Sequence, residues 1–155
     1  MKIFVSYSND DISHVNSFNK IFSESNKIDS LFIASDKHHE DEYKKMTPGQ
    51  NWKNEISRKI EESDAAILFL SESFFTSEEV KDFELPLIRK KESNNKEYKI
   101  FPILVSEFES INSSESKMLS KQEFLNAQDT SLSSLRGSRY NLELQNISKR
   151  ITANT

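Results

Sequence analysis

An uninterrupted apolar run near the middle of the chain restricts the fold more than any other feature. Residues 65–70 read AAILFL, so an extended segment here has no polar face. Such a strand is typical of a parallel sheet that helices cover on both sides. The run therefore predicts a buried strand at the centre of an α/β fold.

Other apolar segments alternate with helical patterns along the chain. Strand candidates are residues 2–8, 30–34 and 100–105, and residues 122–126 form a weak fifth candidate. Apolar residues spaced three and four apart predict helices between and after them. These residues are Ile12, Val15, Phe18 and Phe22, then Trp52, Ile56 and Ile60, and finally Tyr140, Leu144, Ile147 and Ile151. We predict a flavodoxin-like three-layer α/β sandwich with a five-stranded parallel sheet of order 2-1-3-4-5.

Composition limits the possible functions. The 155 residues fit one domain, 1–155, which is either a complete small protein or one domain of a longer one. The absence of cysteine excludes disulfides, thiolate metal sites and Cys nucleophiles. The only two glycines, Gly49 and Gly137, cannot supply a GxGxxG motif or a P-loop. A net charge of -4 argues against nucleic acid as a partner.

The sequence carries neither a secretory signal peptide nor a membrane span. The amino-terminal apolar run is too short for a secretory h-region and lacks a small-residue cleavage site. No stretch approaches the length of a membrane span. We therefore expect a cytoplasmic protein without a membrane partner.

The predicted strand order places a ligand site between strands one and three, where the order reverses. Residues 8–10 follow the first strand and residues 71–75 follow the third. Thr76 and Glu79 form a T-x-x-E pattern that predicts a capping box, with a helix opening near Ser77. Its free N–H groups would face the crevice and attract an anion such as a pyrophosphate.

Three residues of this predicted helix share one face, because Ser77, Val80 and Glu84 are spaced three and four apart. Glu84 is a candidate acid, base or cation stabiliser, and the alternative is a solvated helix glutamate. Pro86 removes the hydrogen bond to the carbonyl of Asp82. Either it bends the helix to fit the sheet, or it aims Glu84 into the crevice.

Five segments, in this order and spacing, resemble a bacterial Toll/interleukin-1 receptor (TIR) domain over roughly residues 1–106, with a weaker echo at 122–135. The segments are IFVSYSNDD (3–11), residues 36–52 with a closing P-G-x-x-W, SDAAILFLSESFFTS (63–77), FELP (83–86) and IFPILV (100–105). The resemblance implies cleavage of the nicotinamide–ribose bond of NAD+, to ADP-ribose or a cyclic nucleotide. It places the catalytic glutamate on Glu84, and it implies no metal and no cofactor beyond NAD+ as substrate.

The resemblance also implies a set of substrate contacts. Ser77 and Val80 are further candidate contacts, because they share a helix face with Glu84 in the predicted helix. The implied contacts are Tyr7, Ser8, Asn9, Asp36, Gly49 and Trp52. Tyr7 and Trp52 have core packing as their alternative, and Gly49 has a simple turn after Pro48. Val80 stands where the family often has an aromatic residue that stacks on the ligand. Candidate substitutes for that aromatic are Phe74, Phe75 and Phe83.

The resemblance further implies self-association through TIR–TIR contacts and a role in bacterial antiviral defence. The alternative function is a non-catalytic interaction and signalling module that uses the loop at residues 35–50. Residues 38–42 (HHEDE) suggest a metal site, but adjacent histidines in a polar loop point apart, which favours a solvated loop. A response regulator would need an aspartate at the end of the third strand, where Ser71 stands. No G-x-S-x-G motif supports a serine hydrolase.

Overall fold

The structure, a computed structural model, describes residues 1–25, 30–32 and 51–155. Within these ranges, four parallel strands form the central sheet. They are β1 (Lys2–Ser6), β2 (Ser30–Phe32), β3 (Ala65–Leu70) and β4 (Lys99–Leu104). Their order is β2-β1-β3-β4, and every neighbouring pair is parallel. The predicted α/β class with a parallel sheet is confirmed.

Helices connect and cover these strands. They are α1 (Ile12–Ser25), α2 (Asn51–Glu62), α3 (Glu72–Thr76), α4 (Leu85–Asn94), α5 (Ser114–Ser120) and α6 (Gly137–Ala153). A π-helical segment, Val80–Glu84, leads directly into α4, and short 3-10 turns lie at Asn9–Asp11, Ala127–Asp129 and Leu132–Ser134. Across the described ranges, no helix combines the length and the hydrophobicity that a membrane span needs.

The core has two halves, one on each face of the sheet. The first half joins α1 and α6 to the sheet, through residues such as Phe18 and Ile147. The second joins α2 and α4, through residues such as Ile60 and Ile88. Strand β3 alternates between them: Ala65, Ile67 and Phe69 belong to the first half, and Ala66, Leu68 and Leu70 to the second. All six residues of β3 are buried, which confirms the strand covered on both faces.

The predicted fifth strand at residues 122–126 is wrong. The amide side chain of Asn126 instead pairs with both backbone groups of Leu104. It accepts the Leu104 N–H on Oδ1 at 2.7 Å and donates from Nδ2 to the Leu104 carbonyl at 2.9 Å. One backbone bond remains, from the Leu125 N–H to the carbonyl of Pro102 at 2.9 Å. Since Pro102 has no N–H to offer, a side chain closes this edge, and the five-stranded order is not confirmed.

Candidate functional site at the ends of β1 and β3

The carboxyl ends of β1 and β3 lie side by side, with Ser6 in register with Leu68. From β1 the chain crosses to β2 on one side, whereas β3 and β4 follow on the other. Doubly wound sheets bind ligands at such a reversal, outside the carboxyl ends of the strands. The site is therefore formed by the residues that follow Ser6 and Leu70, and by the elements packed over them.

Glu84 is fully buried beside the last residue of β1. The Ser6 hydroxyl donates a hydrogen bond to Glu84 Oε1 at 2.9 Å, and both residues are 0% exposed. The two are 78 positions apart in the chain, so the fold alone brings them together. A carboxyl group inside a protein is costly unless hydrogen bonds satisfy it. The solvated helix glutamate is thus ruled out, and a carboxyl group lies at the edge where doubly wound sheets bind ligands.

The backbone that carries Glu84 is π-helical rather than α-helical. The N–H of Leu85 donates to the carbonyl of Val80, five residues back, and the next residue, Pro86, has no N–H to continue an α-helical ladder. Single π-helical turns inside helices occur frequently at functional sites. The α-helical spacing that put Ser77, Val80 and Glu84 on one face does not apply to this segment.

The helix that carries this segment is capped one residue later than predicted. The Thr76 hydroxyl donates back to the carbonyls of Glu72 and Ser73, as expected for the last residue of α3. Ser77 is the residue that caps: its Oγ accepts the Val80 N–H at 3.5 Å. The predicted Thr76 capping box is therefore wrong, because the five-residue helix α3 occupies the predicted loop.

The three predicted contacts after β1 differ in exposure. Tyr7 is buried in the first half of the core. Ser8 is also buried, and its Oγ accepts the backbone N–H of Asp10 at 3.3 Å. Asn9 is exposed. Of these, only Asn9 presents its side chain openly at the end of β1.

Val80 and two of its proposed aromatic substitutes lie in the core. Val80, Phe74 and Phe75 are all buried in the second half of the core. Phe83 is half-buried against the same cluster, and Lys53 Nζ lies 5.9 Å from the centre of its ring. Among the three aromatic candidates, Phe83 alone retains partial exposure.

Sequence reasoning missed a second buried carboxyl group, Asp11. Its Oδ2 accepts a hydrogen bond from the Ser71 hydroxyl at 2.5 Å. Burial raises the pKa of Asp11 above its ordinary value, while the Ser71 bond and nearby His14 act in the opposite direction. Burial also lowers the pKa of His14, whose Nδ1 lies 2.7 Å from the Tyr140 hydroxyl. The available signal was an aspartate shortly after the first strand and a serine directly after the third.

Several predicted residues lie outside the described residues. Asp36, Gly49 and the loop at 35–50 are among them, as is the histidine-rich segment 38–42. Trp52 is the second residue of α2, and only its backbone is described. Within the described ranges, no group of three His, Asp or Glu side chains is arranged to hold a metal ion.

Comparison with known proteins gives one finding on family. A model of the family described as "TIR domain" matches residues 3–136 of the chain. The match runs from β1 through Arg136 and so includes Ser6, Asp11, Ser71 and Glu84. A search of curated proteins found no match to the chain.

Proposed function

The chain belongs to the TIR domain family, and we propose that it cleaves the nicotinamide–ribose bond of NAD+ with Glu84 as the catalytic carboxylate. The family includes NADases. The observation that supports the proposal is a fully buried glutamate, hydrogen-bonded to Ser6, at the end of β1 where the strand order reverses. A glutamate that only solubilised its helix would face water instead.

The chemistry needs few groups. Nicotinamide leaves as a neutral molecule, so no general acid is required, and the ribose carbon gains positive charge as the bond lengthens. A fixed carboxylate near that carbon stabilises the charge, as in glycoside hydrolysis. The effect is stronger inside a protein than in water, because the local dielectric constant is lower.

Either of two nucleophiles completes the reaction. Attack by water on the ribose carbon gives ADP-ribose, nicotinamide and one proton. Attack by a nucleophilic group within the same nucleotide gives a cyclic product, nicotinamide and one proton. In both cases the ribose–nitrogen bond breaks with its electron pair on nicotinamide.

The proposal also assigns roles to the other candidate residues. Ser6 would fix the orientation of the Glu84 carboxyl group through its hydrogen bond. Asn9, which is exposed after β1, and Ser77 before the π-helical segment would contact the substrate directly. Tyr7, Ser8 and Val80 would border the ligand from within the fold. For Asp36, Gly49 and Trp52, substrate contact is proposed from the family resemblance alone.

The deciding experiment incubates concentrated protein with NAD+ and measures nicotinamide by chromatography. We expect Glu84→Gln to lower the rate at least about 100-fold, because it removes the charge while keeping the shape. Glu78→Gln is the matched control: Glu78 is exposed on the same helix and should stay within about twofold of wild type. Equal release from Glu84→Gln and wild type would refute the catalytic role of Glu84.

The second function, a TIR–TIR interaction and signalling module, is an outcome of the same experiment. Absence of release from the wild-type protein, measured at concentrations where sedimentation shows self-association, would favour the module. Self-association itself is part of the proposal, as are a cytoplasmic location and a role in bacterial antiviral defence. NAD+ and other copies of the chain are the proposed partners.

A further inference from the structure

We infer that Asp11 is a positioning residue: through its hydrogen bond with Ser71 it holds the segment that carries Glu84 against the end of β1. The catalytic consequence rests on the proposed function, but the mechanical part does not. Asp11 does not need to touch the substrate for this role. Its effect passes through Ser71 and α3.

The bond between Asp11 and Ser71 is short and buried. Asp11 Oδ2 and Ser71 Oγ are 2.5 Å apart, and the residues are 8% and 2% exposed. The two residues are 60 positions apart in the chain. Asp11 ends the 3-10 turn after β1, and Ser71 directly follows β3. The bond therefore joins the two strand ends between which the site lies.

The Ser71 hydroxyl has a fixed orientation, because it donates and accepts at once. Its hydrogen goes to Asp11, and its oxygen accepts the N–H of Phe74 at 3.1 Å. The second bond caps the start of α3. Linked hydrogen bonds of this kind polarise and strengthen one another. Loss of the Asp11 carboxyl group would release the cap as well as the serine.

Helix α3 transmits this restraint to Glu84. It packs against the π-helical segment, and its last turn is closed by the Ser77 N–H bonded to the Ser73 carbonyl at 2.9 Å. The Ser77 hydroxyl oxygen then accepts a hydrogen bond from the N–H of Val80, where the π-helical segment begins. Few residues separate Ser71 from Glu84, and each short element between them is hydrogen-bonded.

On the other side, Asp11 is tied to the same strand end that carries Ser6. Its N–H donates to the carbonyl of Ser8 at 2.9 Å, which closes the turn after β1. The same two parts of the fold are thus joined twice, by Ser6 with Glu84 and by Asp11 with Ser71. Removing the second bond should loosen the first.

The test compares Asp11→Ala with Asp11→Asn and with the control Asp10→Ala. Asp10 is exposed in the same turn, so the control removes one carboxylate without touching Ser71. By hydrogen exchange, Asp11→Ala should speed exchange of the amides at residues 74–85 about tenfold, while those of α6 stay unchanged. Asparagine keeps an acceptor for the Ser71 hydroxyl and should restore most of the protection.

The catalytic arm uses nicotinamide release by the same proteins. Asp11→Ala should lower kcat about 10–100-fold and leave KM within about threefold, since it misplaces Glu84 without removing a substrate contact. Ser71→Ala removes the same bond from the other side and should reproduce the exchange pattern. It serves as the second variant where Asp11→Ala does not fold.

Each failure has a distinct signature. Exchange at residues 74–85 that is unchanged in both Asp11→Ala and Ser71→Ala overturns the inference, whatever the activity. Faster exchange with an unchanged kcat overturns the catalytic consequence. Absence of release from wild-type protein refutes the proposed function instead, and the exchange result still decides whether Asp11 holds the segment.

Discussion

The hydrogen bond between Ser6 and Glu84 allows a test in which a double variant recovers stability but not activity. Ser6→Ala leaves Glu84 Oε1 buried without the hydroxyl that it accepts at 2.9 Å. Removing a hydrogen-bond partner from a buried polar group costs about 1–3 kcal/mol of unfolding free energy. Since 1 kcal/mol shifts Tm by about 2–4 °C at this chain length, we expect Ser6→Ala to lower Tm by about 2–12 °C.

The companion variant is Glu84→Leu, which removes the other partner. Alone, Glu84→Leu leaves the buried Ser6 hydroxyl without this acceptor, at a cost of about 1–3 kcal/mol. Combined with Ser6→Ala, both members of this hydrogen bond are gone, so the double variant avoids the cost of leaving one member without the other. The double variant should therefore be more stable than the sum of the single variants by about 1 kcal/mol or more.

Urea titration of the four proteins measures this coupling, with an unchanged m-value as the check that the folded state is comparable. Nicotinamide release should fall in all three variants, including the stable double variant. Stability that adds within about 0.5 kcal/mol would show that Ser6 and Glu84 do not interact, and would refute the reasoning. Wild-type release from the double variant would refute the catalytic role.

Three further predictions concern Pro86, Lys91 and His14. Pro86→Ala restores a backbone N–H and should convert the π-helical turn at Val80–Glu84 to α-helix, with Tm unchanged or higher. Because this turns the Glu84 side chain, nicotinamide release should fall at least about tenfold. An unchanged release rate would refute a role for the π-helical backbone. Lys91 Nζ donates to the carbonyls of Ile60 and Ser63 at 3.0 and 2.6 Å, so Lys91→Met should cost about 1–3 kcal/mol in urea titration, against no effect from Lys90→Met. Burial lowers the pKa of His14 below 6.5 in the folded protein. The stability that the neutral His14 side chain contributes is therefore complete above about pH 6.5 and is lost as pH falls through the folded pKa. On acidification, Tm should fall less in His14→Gln than in wild type.

The central sheet was predictable because its signals are local. Six consecutive apolar residues at 65–70 favour a strand that is buried on both faces, and the structure buries all six. Apolar spacing of three and four likewise placed α1 and α6, whose predicted residues Phe18 and Ile147 lie in one half of the core. In these segments the pattern and the environment agree.

The fifth strand could not be excluded from sequence, since its replacement is a single side chain. Residues 122–126 include Phe124 and Leu125 and read weakly as a strand. Nothing in that pattern shows that the Asn126 amide takes both backbone bonds of Leu104, 22 residues earlier. A strand and a side-chain mimic of a strand can share the same short pattern.

The helix cap was predicted one residue too early, at Thr76 instead of Ser77, for a related reason. Thr76 and Ser77 are adjacent hydroxyl residues, and either can cap a helix. The choice depends on whether another helix ends at Thr76, and α3 does so because Ser71 starts it by accepting the N–H of Phe74. A contact five residues upstream thus decides which hydroxyl is free to cap.

The departures from regular structure concentrate around one carboxyl group. A buried glutamate, a π-helical turn and a proline fall within residues 80–86, and a buried aspartate holds the neighbouring strand end. Each feature alone lowers stability or regularity, and natural proteins keep such features mainly where function requires them. Three residues bear on where Glu84 lies: Pro86 through its missing N–H, Ser6 through a direct hydrogen bond, and Asp11 through Ser71 and α3. Packing alone does not require this arrangement, whereas a reaction that needs one fixed charge at the end of β1 does.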